Sequence, residues 1–188
     1  MDFGDIATLS VAGIILTAFS AKVLRERRRR RMLVSLLHSE TLGLCREAAE
    51  LAEAICGRRA DGGLIDQAFL LRYALTEPQT YPGLIPSLWR LPADLAWRAV
   101  EFHGHLCLAR TRLADWRLGD RDRASTYLLL TALARSAGGG DGLLLASARC
   151  LGWRKDWEPQ LPLANAFIDE MEREENDLLD NGYWSLPG

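Results

Sequence analysis

Three side chains capable of metal or nucleophilic chemistry fall within five residues, His103-Gly104-His105-Leu106-Cys107. On a helix, His103 and Cys107 are four apart and share a face, so both could reach one metal or a haem iron, while His105 points elsewhere. A zinc site needs three or four ligands. No C-x-x-C and no second histidine pair lies nearby, and Cys45, Cys56 and Cys150 are isolated in sequence. Nucleophilic catalysis by Cys107 with His103 as base would lack an orienting third group. The expected reading is a partly buried helix with hydrogen-bonded histidines; metal or haem binding through His103 and Cys107 is the alternative.

Two other patterns are chemically weaker. The glycine run Gly138-Gly139-Gly140-Asp141-Gly142 precedes an apolar stretch, and glycine amides at a helix start can face a phosphate. A P-loop ends in Gly-Lys-Ser or Gly-Lys-Thr, whereas this run continues Leu143-Leu144, so it reads as a flexible break. A di-iron bundle wants two Glu-x-x-His pairs. His38 follows Ser35 and His103 follows Val100, so neither completes one. Glu170, Glu174 and Asp177 read as a solvated face. No catalytic, cofactor-binding or metal-ligating residue is assigned, and the chain reads as a non-enzyme.

The strongest signal is physical. Ile6 to Leu24 holds 19 residues with Lys22 as its one charge. As a helix it is about 28 Å long, close to the hydrocarbon thickness of a bilayer. Arg25, Arg27, Arg28, Arg29, Arg30 and Arg31 follow at once, interrupted only by Glu26. A signal peptide carries its positive charge before the apolar stretch; here the order is reversed. The pattern predicts a single membrane span, with the positive-inside rule placing the arginines and all that follows in the cytoplasm and the N-terminus outside. The arginines would then contact anionic lipid. No aromatic residue interleaves with them, and nucleic acid is not expected as a partner.

The remaining elements read as helices. Val34, Leu37, Thr41, Leu44, Ala48, Leu51 and Ile55 alternate by three and four, predicting a helix that runs on from the anchor and stops at Gly57. That seam is expected to pack within the chain, with a coiled coil between subunits as the alternative. Leu64 to Leu75 predicts a short helix. Pro78, Pro82, Pro86 and Pro92 forbid regular helix between, although Tyr81, Leu84, Ile85, Leu88 and Trp89 are too apolar for a solvated linker. This segment is expected to pack on the body; an exposed binding loop is the alternative. Leu95, Ala99, Phe102, Leu106, Ala109, Leu113 and Trp116 mark the clearest helix, ending near Gly119. Helices over Asp120 to Ala137, Leu143 to Leu151 and Leu163 to Leu179 complete an all-α body, a small bundle on a stalk. No two-residue alternation marks a strand.

Composition agrees with this division. Of 188 residues, 48% are hydrophobic and 26% charged, which excludes a disordered chain. Four cysteines are too few for a disulfide scaffold and suit a reducing compartment. The net charge of −2 hides a basic segment at 25–31 and an acidic one near the end. That acidic segment could fold back toward the arginines. Three regions follow: 1–31, anchor with arginine run; 32–162, helical domain; 163–188, acidic helix and tail. Tyr81, Trp89, Tyr183 and Trp184 are the candidate partner contacts. Tyr183 and Trp184 could equally tuck onto the domain.

The anchor, the arginine run, the Leu-seamed helix and the Leu91-Pro92-Ala93-Asp94-Leu95 opening together resemble small bacterial single-pass membrane proteins with a cytoplasmic helical domain. The resemblance implies an architecture, an inner-membrane location and no activity. The expected role is a non-catalytic scaffold or accessory subunit of a membrane protein complex, with other membrane subunits as partners. An oligomerising membrane effector is a further alternative; Gly13 permits close helix contact, although no Gly-x-x-x-Gly is present.

Overall fold

The computed structural model describes residues 3–119, 121–154 and 157–180, with side chains described over 19–177 apart from residue 67. Six α-helices appear, and no strand occurs among the described residues: α1 (Phe3–Ala60), α2 (Gln67–Arg72), α3 (Tyr81–Leu84), α4 (Ala93–Leu118), α5 (Arg123–Leu151) and α6 (Pro162–Asp180). The all-α expectation holds.

The 58 residues of α1 form one uninterrupted helix, about 87 Å long. Only its second half enters the body. Residues 19–32 are exposed, and burial begins at Val34. All seven seam residues from Val34 to Ile55 are buried inside this chain, so the seam packs within the chain and not between copies. The equivalent seven positions of α4, Leu95 to Trp116, are buried too. α5 packs along both α1 and α4, and α6 lies against α1 and α5. Among the described residues, no helix is long and apolar enough to cross a membrane. The side chains of residues 6–18, most of the expected span, lie outside that description.

Several boundaries differ from expectation. α1 passes Gly57 and ends at Ala60, where Gly62 adopts φ 64°. Its amide and that of Gly63 bond back to the carbonyls of Arg59 and Arg58, so the stop lies at the glycine that takes the left-handed conformation. The helix expected over Leu64 to Leu75 shrinks to α2. Asp66 caps it by accepting from Phe69 N at 2.8 Å, and Arg117 takes the Leu70 carbonyl at 3.1 Å. The proline-rich stretch is more regular than expected. Pro82 sits in the first turn of α3 and Pro86 at the start of a 3₁₀ turn, Ile85–Arg90, where no amide is missed. Leu84 and Leu91 are buried, so the segment does pack on the body.

The largest correction concerns Gly138 to Gly142, which is no break: α5 runs through it without interruption. Gly140 is buried where α5 crosses α1 and α4, and a β-carbon there would meet Cys45 and Phe102. Packing on both sides outweighs the helix cost of glycine, about 1 kcal/mol per residue.

Glutamates off the seam of α1 hold the rest in place. Glu40 accepts from the amides of Gln79, Thr80 and Tyr81 at the start of α3. Glu47 accepts from the amide and hydroxyl of Thr76. Glu53 accepts from the amides of Leu163 and Ala164 in the first turn of α6. Each carboxylate satisfies amides that have no partner inside a helix, and the negative charge suits a helix N-terminus. The acidic face of α6 meets Arg123, which pairs with Glu170 and Glu174, and not the arginine run.

Candidate functional site

Two regions merit comparison, the first being the expected His103 and Cys107 pair. Both line one open cavity of about 520 Å³, together with Glu77, Tyr81, Arg110 and Thr111. The shared face predicted from their spacing is therefore real. Their environments differ, however: His103 is buried and Cys107 exposed. Tyr81 stacks on the His103 ring with centroids 3.5 Å apart and planes 14° from parallel. Neither ring nitrogen of His103 has a hydrogen-bond partner, which corrects the expectation of a hydrogen-bonded histidine there. Burial pushes His103 down to about 4, against the opposing pull of the Glu40 carboxylate, so the ring is neutral at pH 7. Among the described residues, no group of three or more His, Cys, Asp or Glu side chains is placed to hold a metal. Arg110 pairs with Glu77 at 3.4 Å across the rim.

The other cysteines inside the body are chemically quiet. Burial, then the Asp141 carboxylate, pushes Cys45 up to about 12. Burial, then Glu53, pushes Cys56 up to about 11. Both stay protonated thiols, the inert state.

The second region is the root of the stalk, where α1 enters the bundle. Arg25, Arg27, Arg28, Arg29, Arg30 and Arg31 are all exposed on α1. The body reaches up to them on two sides. On one, Arg90 pairs with Glu26 at 3.8 Å and also covers the ring of Trp89 at 5.0 Å. On the other, Arg31 donates to the carbonyl of Leu151, the last residue of α5, at 3.1 Å. A cation there meets the negative end of the helix dipole.

Local sequence explains that second contact. Gly152 takes φ 72°, and Trp153 N bonds back to Ala148 O at 2.9 Å, the ending that only glycine enters freely. This turn brings Trp153 against His38, ring edge to face with centroids 5.3 Å apart. His38 Nδ1 in turn bonds Ser147 Oγ at 2.7 Å. The result is a cavity of about 500 Å³ lined by Arg27, Arg30, Arg31 and Arg149, with Val34, Cys150, Leu151 and Gly152. A second cavity of about 350 Å³ is lined by Arg28, Arg31, Met32, Leu36, Leu151 and Trp153. Arg149 and Trp153 carry no motif that marks them in the sequence. The available signal was Gly152 closing an apolar helix beside an arginine.

The expected partner contacts divide. Trp89 is 76% exposed, with Arg90 over one face of its ring. Tyr81 is half-buried and committed to His103, so its ring is an internal contact. Tyr183 and Trp184 lie outside the described residues. No family model, no curated protein and no solved structure matches this chain.

Proposed function

We propose that this chain is a single-pass, membrane-anchored helical scaffold or accessory subunit of a membrane protein complex, without catalytic activity. Its span is Ile6 to Leu24, its body is cytoplasmic, and the membrane is a bacterial inner membrane. The observation that carries this reading is the course of α1. The helix leaves the bundle at Leu33 and continues as an exposed rod through six arginines into the apolar stretch. Phe19, Val23, Leu24 and Met32 are exposed along it. A lone apolar helix finds no stabilising partner in water, whereas lipid covers its side chains and leaves its backbone bonds intact. The arginines then fall in the headgroup layer on the inner side.

Exposed Trp89 and Trp97 on the body offer the aromatic anchors that protein interfaces favour. Tethering confines such a surface to the membrane plane and raises its effective concentration near other membrane subunits. Alkaline carbonate extraction tests the anchor. The full chain is expected to stay in the membrane pellet, and recovery in the supernatant would overturn the reading. Solubilisation in mild detergent tests the scaffold role: the chain is expected to migrate with a second membrane subunit, and migration alone at its own mass contradicts it.

A further inference from the structure

We propose that the two adjoining cavities at the stalk root form a binding site for one anionic phospholipid, with its phosphate among Arg27, Arg30, Arg31 and Arg149. This rests on the membrane-anchored reading above and goes beyond a diffuse attraction between a basic run and a charged surface.

Charge is the first argument. Four guanidinium groups line one cavity. None of the four joins any salt bridge formed by the described residues; Glu26, the one acid within the run, pairs with Arg90 instead. Among the described residues, Arg31 alone of the four donates a hydrogen bond to a protein acceptor, the Leu151 carbonyl. Like charges held this close repel unless an anion sits between them. Guanidinium forks match phosphate oxygens in pairs, giving short charge-assisted hydrogen bonds.

Position is the second. From Leu24, the end of the expected span, Arg27 to Arg31 lies about 4–10 Å further along α1. A headgroup layer is roughly 5–8 Å deep, so Arg27 is rooted within it, and the long side chains of Arg30 and Arg31, rooted just beyond it, reach back to phosphate level. Arg149 is brought to the same level by α5, from the far side of the chain in sequence.

The third argument is the neighbouring cavity, which shares Arg31 and Leu151 with the first. Met32, Leu36 and Trp153 line it with apolar groups beside Arg28 and Ser35, and Trp153 packs edge to face against His38. On α1, Met32 and Leu36 lie about 12 and 18 Å beyond Leu24, on the side of the arginines away from the span. An anionic headgroup thus meets the arginines at its phosphate and the second cavity at its outer end, on the side of Arg31 away from the span.

The test uses the full chain in phosphatidylcholine vesicles, with incorporation checked first by flotation. Retention of added phosphatidylglycerol is then measured by native mass spectrometry after release into detergent. One retained lipid is expected. R149A and R30A, which remove cavity arginines, should weaken retention about tenfold, the worth of one charge-assisted bond. R29A, an equal loss of charge outside the cavity, should stay within about twofold. Equal losses for all three variants would mean diffuse attraction and overturn the site. Displacement of the lipid by an equal concentration of inorganic phosphate would make it a free-phosphate site and overturn the lipid assignment. A chain that fails to float has no anchor, and the proposal falls with that reading.

Discussion

Gly140 of α5 lies directly against Cys45 of α1, closer than any β-carbon could approach its sulfur. Phe102 of α4 closes the other side, 2.9 Å from where that β-carbon would stand. The three long helices meet closely at this position, and the absence of a side chain lets them.

G140A is therefore expected to lose about 1–3 kcal/mol, because overpacking outweighs the better helix propensity of alanine. Gly138, two residues earlier, is exposed and has open space around it. G138A should gain about 0.5–1 kcal/mol. Urea unfolding of the two variants checks the opposite signs. Destabilisation by both would mean that the run is a flexible break after all.

The same pair shows what could be read from sequence. The seams of α1 and α4 were legible because apolar residues at steps of three and four define one buried face whatever lies opposite. The glycine run was not, because a glycine that breaks a helix and one that admits a neighbouring helix look alike until the neighbour is known. The roles of Glu40, Glu47 and Glu53 were not legible for a related reason. The amides they cap lie from 29 to 111 residues away in the chain. Arg149 joined the stalk arginines only through the turn at Gly152.

His103 predicts a pH dependence. Its folded value near 4 lies below its ordinary value of 6.5, so the unfolded chain binds the proton first. Its contribution to stability is complete above about pH 6.5 and declines as pH falls toward 4, by about 3 kcal/mol at most. H103Q should remove that part of the slope between pH 6.5 and 4, read from urea midpoints across the range. An unchanged slope would show that His103 is not the buried neutral group described above.

Glu53 predicts a local effect. E53A leaves the Leu163 and Ala164 amides without their carboxylate and should cost about 1 kcal/mol. Hydrogen exchange should quicken in α6 while α4 stays protected. Uniform quickening through all helices would instead mean that α6 is not a separately held element.

Trp89 and Tyr81 were expected to act alike and should not. W89A removes an exposed ring and should change stability by less than about 0.5 kcal/mol while reducing association with a membrane partner. Y81A uncovers the His103 ring and should raise its pKa toward 6.5, read from its imidazole resonances. A stability loss for W89A equal to that of Y81A would place Trp89 inside the fold.

Topology tests the central claim most directly. A fluorescent protein that folds only in the cytoplasm, fused after Gly188, should glow in the membrane fraction, while an alkaline phosphatase fused at the same place should stay inactive. An active phosphatase, or fluorescence that spreads through the cell interior, would contradict the account.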